Sequence, residues 1–205
     1  MPRLAVDIVL FPSSPTADRV IEVNRELVRR YGKKIVLNRE NCFPHISLCM
    51  GVLEEKNIPV VFKILTRIGE KVSPLNLTSI DLSAHANSTG EMVSVFEIKI
   101  TNALQQLHET IMNELAQFLD YEVTEEMLFT PPPVDEGTFR WIKTYPEKSS
   151  FNNFRPHITA GFGEALPVKL PIRFIASKLA LCHLGNHCTC RKILASASFS
   201  ELLRN

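Results

Sequence analysis

Two stretches far apart in the chain, Phe43-Pro44-His45-Ile46-Ser47-Leu48 and Arg155-Pro156-His157-Ile158-Thr159-Ala160, carry a proline, a histidine, an isoleucine and a hydroxyl residue in the same order. One His-x-Ser or His-x-Thr alone says little, but two copies, each behind a proline and inside a strand-like run, are hard to attribute to chance. Side chains at i and i+2 of a strand share a face about 7 Å apart, so each histidine stands beside its own hydroxyl. Pro44, Ile46, Leu48 and Met50 then point one way and Phe43, His45, Ser47 and Cys49 the other. In the second stretch Pro156, Ile158, Ala160 and Phe162 oppose Arg155, His157, Thr159 and Gly161. Such strands fit a fold in which helices cover the two apolar faces and the two polar faces line a cleft.

The rest of the chain supplies that cover. Residues 3–11 have strand composition, and Ser14-Pro15 offers an N-cap and a first-turn proline to a helix with the stripe Val20, Val23, Leu27, Val28, Tyr31, ended by Gly32. Residues 34–37 and 43–50 read as strands. Asn57 caps a second helix that turns Val60, Val61, Ile64, Leu65 and Ile68 inward and closes at Pro74. Strands are expected at 75–84 and 92–100. A third helix starts at Thr101 or Asn102, buries Leu104, Leu107, Ile111, Leu115 and Phe118, and runs out near Asp120. From Val123 to Asn153 the pattern is irregular, with Pro131, Pro132 and Pro133 in a row and an alternating Phe139, Trp141, Lys143, Tyr145, which reads as a long loop holding one strand. Residues 154–162, 173–184 and 190–199 are three closing strands. Strands and helices mix without regular alternation, so the class is antiparallel α+β rather than a doubly wound sheet.

The charge balance narrows the partners. With 23 basic and 22 acidic side chains the chain lacks the excess that gripping long nucleic acid requires, which leaves a small nucleotide or an RNA end. The run Met1 to Phe11 is apolar but short and interrupted by Asp7, so neither a leader peptide nor a membrane span is expected. Five cysteines, Cys42, Cys49, Cys182, Cys188 and Cys190, are an odd number at irregular positions and suit a reducing compartment, hence the cytoplasm, and a monomer is expected.

Phosphodiester cleavage needs one group to take a proton from the attacking oxygen and another to protonate the departing one, on opposite sides of phosphorus. Imidazole, with an unperturbed pKa of about 6.5, does either near neutrality. Ser47 and Thr159 hydroxyls are placed to donate to non-bridging phosphate oxygens. On the strength of His45-Ile46-Ser47 and His157-Ile158-Thr159, the chain resembles the 2H phosphoesterase superfamily, which includes 2',5' RNA ligase-like proteins and 2',3'-cyclic-nucleotide phosphodiesterases. The resemblance implies a single bilobal domain over 1–205: two pseudo-symmetric antiparallel sheets, helices outside, and a central cleft with one motif per lobe. It implies a hydrolase, needing neither metal nor cofactor, that acts on a 2',3'-cyclic phosphate or a 2',5'-linked nucleotide or RNA end. The alternatives are an RNA 2',5' ligase using the same site and a module that binds nucleotide or RNA ends without turnover.

Four further residues are candidate substrate contacts. Arg155 shares the predicted face of His157, and Phe43 that of His45, where it either stacks on a base or packs in the core. Trp141 and Tyr145 suit base stacking beside Lys143, although core packing is the commoner use of such residues. Cys182, His183, His187, Cys188 and Cys190 crowd together, yet they lack the paired Cys-x-x-Cys spacing of a zinc site. His85 and His108 are given no role.

Overall fold

The computed structural model describes residues 2–87, 89–130 and 133–200. The first apolar run is strand β1 (Arg3–Phe11), followed by helix α1 (Ser14–Tyr31), strand β2 (Ile46–Glu54) and helix α2 (Ile58–Gly69). Then come β3 (Leu75–Ala86), β4 (Met92–Ile98), α3 (Asn102–Leu115), the short β5 (Leu119–Asp120), α4 (Glu136–Lys148), β6 (His157–Phe162), β7 (Ile172–Ala176), β8 (Lys178–Leu184) and β9 (Cys190–Ser198). The strands form two sheets, ordered β5-β2-β1-β8-β9 and β6-β4-β3-β7, and every pairing is antiparallel. The first motif enters β2 in one sheet, and the second lies on β6 in the other. This is the expected α+β arrangement of two antiparallel sheets.

Helices α2 and α3 lie against the first sheet, α2 on β8 and β9 and α3 on β2, while α1 crosses to the second sheet and packs on β6. One hydrophobic cluster runs through both layers, from Ile8, Leu48 and Leu181 to Phe96, Ile158 and Phe174. Thr101 caps α3 by accepting from the Leu104 amide, as its sequence indicates. The cap of α1 is Ser13 rather than Ser14, and Asn57 precedes α2 without a side-chain cap. Val60 lies on the exposed side of α2, and α3 ends at Leu115, short of Asp120.

Three strand expectations need correction. Residues 34–37 form no strand: the Leu37 amide donates to Asn24 Oδ1 at 2.8 Å, and Asn24 Nδ2 donates to the carbonyls of Ile35 at 3.0 Å and Ala160 at 2.7 Å. A buried side chain on α1 thus satisfies backbone that a sheet would otherwise have to satisfy. The helix approaches β6 closely here: a Cβ on Gly161, whose φ is +147°, would lie 2.9 Å from Asn24 Nδ2. The run at 173–184 is two strands, because Ser177 carries the chain from the second sheet (β7) to the first (β8).

The third correction is the stretch containing Phe139, Trp141, Lys143 and Tyr145, which is helix α4. Asp135 caps it by accepting from the Gly137 amide, and its buried residues Thr138, Ile142 and Tyr145 follow a helical period. The alternation of aromatic and polar residues has a period of two, but α4 packs on β2 and on the turn before β9 with a different stripe. Pro131 and Pro132 lie outside the described residues. Cys182 and Cys190, on the adjacent strands β8 and β9, are joined as a disulfide, a pairing not expected from their spacing. Among the described residues no helix is long and apolar enough to cross a membrane, and no three His, Cys, Asp or Glu side chains are grouped to hold a metal ion.

Candidate active site

The two motifs show the same burial pattern. Pro44, Ile46 and Leu48 are buried while Phe43, His45 and Ser47 are half-buried; Pro156, Ile158 and Ala160 are buried while His157 and Thr159 are half-buried. The backbone brackets each imidazole in the same way. His45 Nδ1 lies 2.8 Å from the carbonyl oxygen of Phe43, and His157 Nδ1 lies 2.8 Å from that of Arg155. A carbonyl only accepts, so each Nδ1 carries the proton, and each Nε2 is a lone pair when the ring is neutral and an N–H when it is charged. β2 and β6 are in contact, and the rings are near enough that a charge on His157 pulls the His45 pKa down.

Their surroundings differ. Burial lowers the pKa of both rings, that of His45 to about 4. His157 is paired across the β4–β6 ladder with Glu97, whose carboxylate opposes that effect by favouring the imidazolium. Glu97 is kept ionised, its pKa lowered by hydrogen bonds from Ser83 and His85; Ser83 Oγ lies 2.5 Å and His85 Nε2 3.2 Å from Glu97 Oε1. Beside His45 the acidic neighbour is Asp7, with Oδ2 3.8 Å from His45 Nε2 and 2.5 Å from Ser47 Oγ. Asp7 is fully buried, and its pKa is raised to about 8 by that burial, against the opposing effect of the hydrogen bond with Ser47. It is therefore neutral at pH 7 and offers His45 no counter-charge.

Neither Asp7 nor Glu97 was singled out from the sequence. Asp7 left a trace there, as the one acidic residue inside the apolar run of β1. Glu97 left none, since only the strand register places it opposite His157.

The four subsidiary candidates fare differently. Phe43 packs on Phe11, with ring centroids 5.8 Å apart, and its backbone bridges to Cys190. Arg155 is exposed, and its Nη1 donates to the carbonyls of Asn152 and Phe154. Trp141 is 44% exposed on α4, and Tyr145, 2% exposed, is buried close to the Asp7 and Cys49 side chains. Trp141 and Tyr145 do not form a stacking surface together. His108, given no role from sequence, is a buried bracket: its Nδ1 lies 2.6 Å from the Leu48 carbonyl, its Nε2 accepts from the Phe151 amide, and its ring stacks on Phe154.

No protein-family model matches the chain, and no curated protein matches it in sequence. Solved structures do match over nearly the whole length. TT0787 of Thermus thermophilus superposes with a TM-score of 0.55 at 15% identity, covering 96% of this chain and 98% of that one. E. coli LigT complexed with 3'-AMP gives 0.52 at 12% identity, covering 97% and 99%, and a protein described as a phosphoesterase gives 0.51 at 13%, covering 98% and 100%. The chain shares the fold of these proteins, as the resemblance to 2H phosphoesterases implied.

Proposed function

We propose that this chain is a phosphodiesterase that opens a 2',3'-cyclic phosphate or a 2',5'-linked nucleotide or RNA end, with His45 as general base and His157 as general acid. The observation carrying the proposal is the duplicated bracket: two imidazoles, one from the motif of each sheet, each with Nδ1 committed to a backbone carbonyl and Nε2 left for proton transfer. The fold shared with LigT, a protein whose structure includes a 3'-AMP complex, and with the phosphoesterase agrees with it.

The role assignment follows from charge. A proton shared between the rings resides on His157, which faces the ionised Glu97, and not on His45, whose acidic neighbour is neutral and whose own protonation His157 opposes. Neutral His45 takes a proton from the attacking water as its oxygen bonds to phosphorus. His157 gives its proton to the ribose oxygen as the P–O bond breaks. Ser47 and Thr159 donate to the non-bridging oxygens. The two rings supply both proton transfers, so turnover is expected to persist in EDTA.

The test is a panel of 2',3'-cyclic nucleotides and 2',5'-linked dinucleotides, run in EDTA and repeated on His45→Ala and His157→Ala. Each substitution is expected to cost at least about a hundredfold in kcat with the circular-dichroism spectrum retained. Normal turnover by either variant refutes the pair.

A further inference from the structure

We propose that Asp7 is a positioning residue that sets the direction of the Ser47 hydroxyl: as a carboxylic acid it donates to Ser47 Oγ and frees the serine hydrogen for a phosphate oxygen, and as a carboxylate it takes that hydrogen itself. The proposal rests on the reading of Ser47 as a phosphate donor. A serine hydroxyl has one hydrogen, so a serine that donates to a carboxylate has nothing left to donate to an anion in the cleft. The 2.5 Å separation of Ser47 Oγ and Asp7 Oδ2 commits that hydrogen one way or the other.

The surroundings of Asp7 favour the acid. The side chain is completely buried, and Oδ1 has no hydrogen-bond partner among the described residues, a costly arrangement for a charged carboxylate. Among those residues no lysine or arginine pairs with it. The titratable groups facing it are His45 and Cys49 beside and within β2, Tyr145 from α4, and Cys188 from the turn before β9. Burial raises the pKa of Cys49 and Cys188 and of the Tyr145 phenol, so none of the three is charged near neutrality, and His45 is held neutral as well. With no cation to stabilise the carboxylate, Asp7 keeps its proton up to about pH 8. Above that the Ser47 hydrogen turns inward and a negative charge appears beneath the phosphate position, so both effects weaken binding of an anionic substrate.

The experiment compares the wild type with Asp7→Asn, in which the amide N–H donates to Ser47 Oγ at every pH. Loss of the His157 proton costs about tenfold in kcat/KM per pH unit on the alkaline side, and loss of the Asp7 proton about another tenfold. Between pH 8.5 and 9.5 the wild type is expected to approach a hundredfold fall and Asp7→Asn a tenfold one. A carbon-13 NMR titration of the Asp7 carboxyl and the binding of 2',3'-cyclic AMP across the same range accompany the kinetics. Equal slopes in the two proteins, or an Asp7 carboxyl that titrates below pH 6, overturns the proposal. If no variant turns over any substrate, the phosphodiesterase reading fails, and cyclic AMP binding decides this one. Weakening above pH 8 in the wild type alone supports it, and parallel curves overturn it.

Discussion

A carboxylate beside one of two otherwise equivalent imidazoles decides where a shared proton resides. In the proposed mechanism Glu97 plays that part for His157, so Glu97→Gln is expected to lower the His157 pKa and move the alkaline limb of the kcat/KM profile to lower pH. At pH 7 a loss of about three- to tenfold in kcat/KM is expected. The measurement is a pH–rate profile, and a limb that stays put removes Glu97 from the mechanism. At this scale the sequence was informative about the four motif residues and silent about their carboxylate neighbours. The identity of His45, Ser47, His157 and Thr159 and their i, i+2 spacing are local properties of two strands. The contacts of Ser47 with Asp7 and of His157 with Glu97 cross between strands, and pairing register is not written in either strand alone.

Among the elements, the joint between α1, β6 and the segment at 35–37 is held by one polar side chain. Asn24→Ala leaves the Leu37 amide and the Ile35 and Ala160 carbonyls without their partner in a buried setting, at a cost of about 2–4 kcal/mol. Urea unfolding should show a lower midpoint at an unchanged slope, and a change within about 0.5 kcal/mol would rule out this role. Asn24 also explains a misread element. Ile35, Val36 and Leu37 have strand composition, but a backbone already bonded to a buried amide has no use for a sheet. The opposite error befell α4, whose aromatic residues alternate like a strand while Thr138, Ile142 and Tyr145 form the stripe that packs. Its signal was Asp135 at the cap, a local feature outweighed by the prolines just before it.

Across the whole molecule, burial couples the histidines to stability. The pKa values of His45, His108, His157, His183 and His187 are all lowered in the folded state, mainly by desolvation. The unfolded chain then binds protons that the folded one refuses, so stability falls as the pH drops below about 6.5, by up to about 1.4 kcal/mol per pH unit for each group. Asp7 has the opposite sign: raised from 3.8 to about 8, it holds a proton that the unfolded chain releases, and its contribution declines as the pH rises between those values. Stability from urea denaturation should therefore climb from pH 4.5 to 6.5 and decline gently towards pH 8, the decline disappearing in Asp7→Asn. A curve that is flat below 6.5 would contradict the desolvated, neutral histidines.

The α+β class, the existence and approximate positions of β1, α1, α2, β3, β4, α3 and β9, and the two motifs with their hydroxyl neighbours were determined by sequence alone, because periodicity, caps and i, i+2 spacing are set by residues close together in the chain. Only the tertiary structure decided which strands share a sheet, that Ser177 passes the chain from one sheet to the other, and that the two motifs come into contact. It also decided that one imidazole faces an ionised carboxylate and the other a protonated one. Those outcomes depend on burial and on partners far away in the chain, and burial is a property of the packed molecule that no single segment possesses.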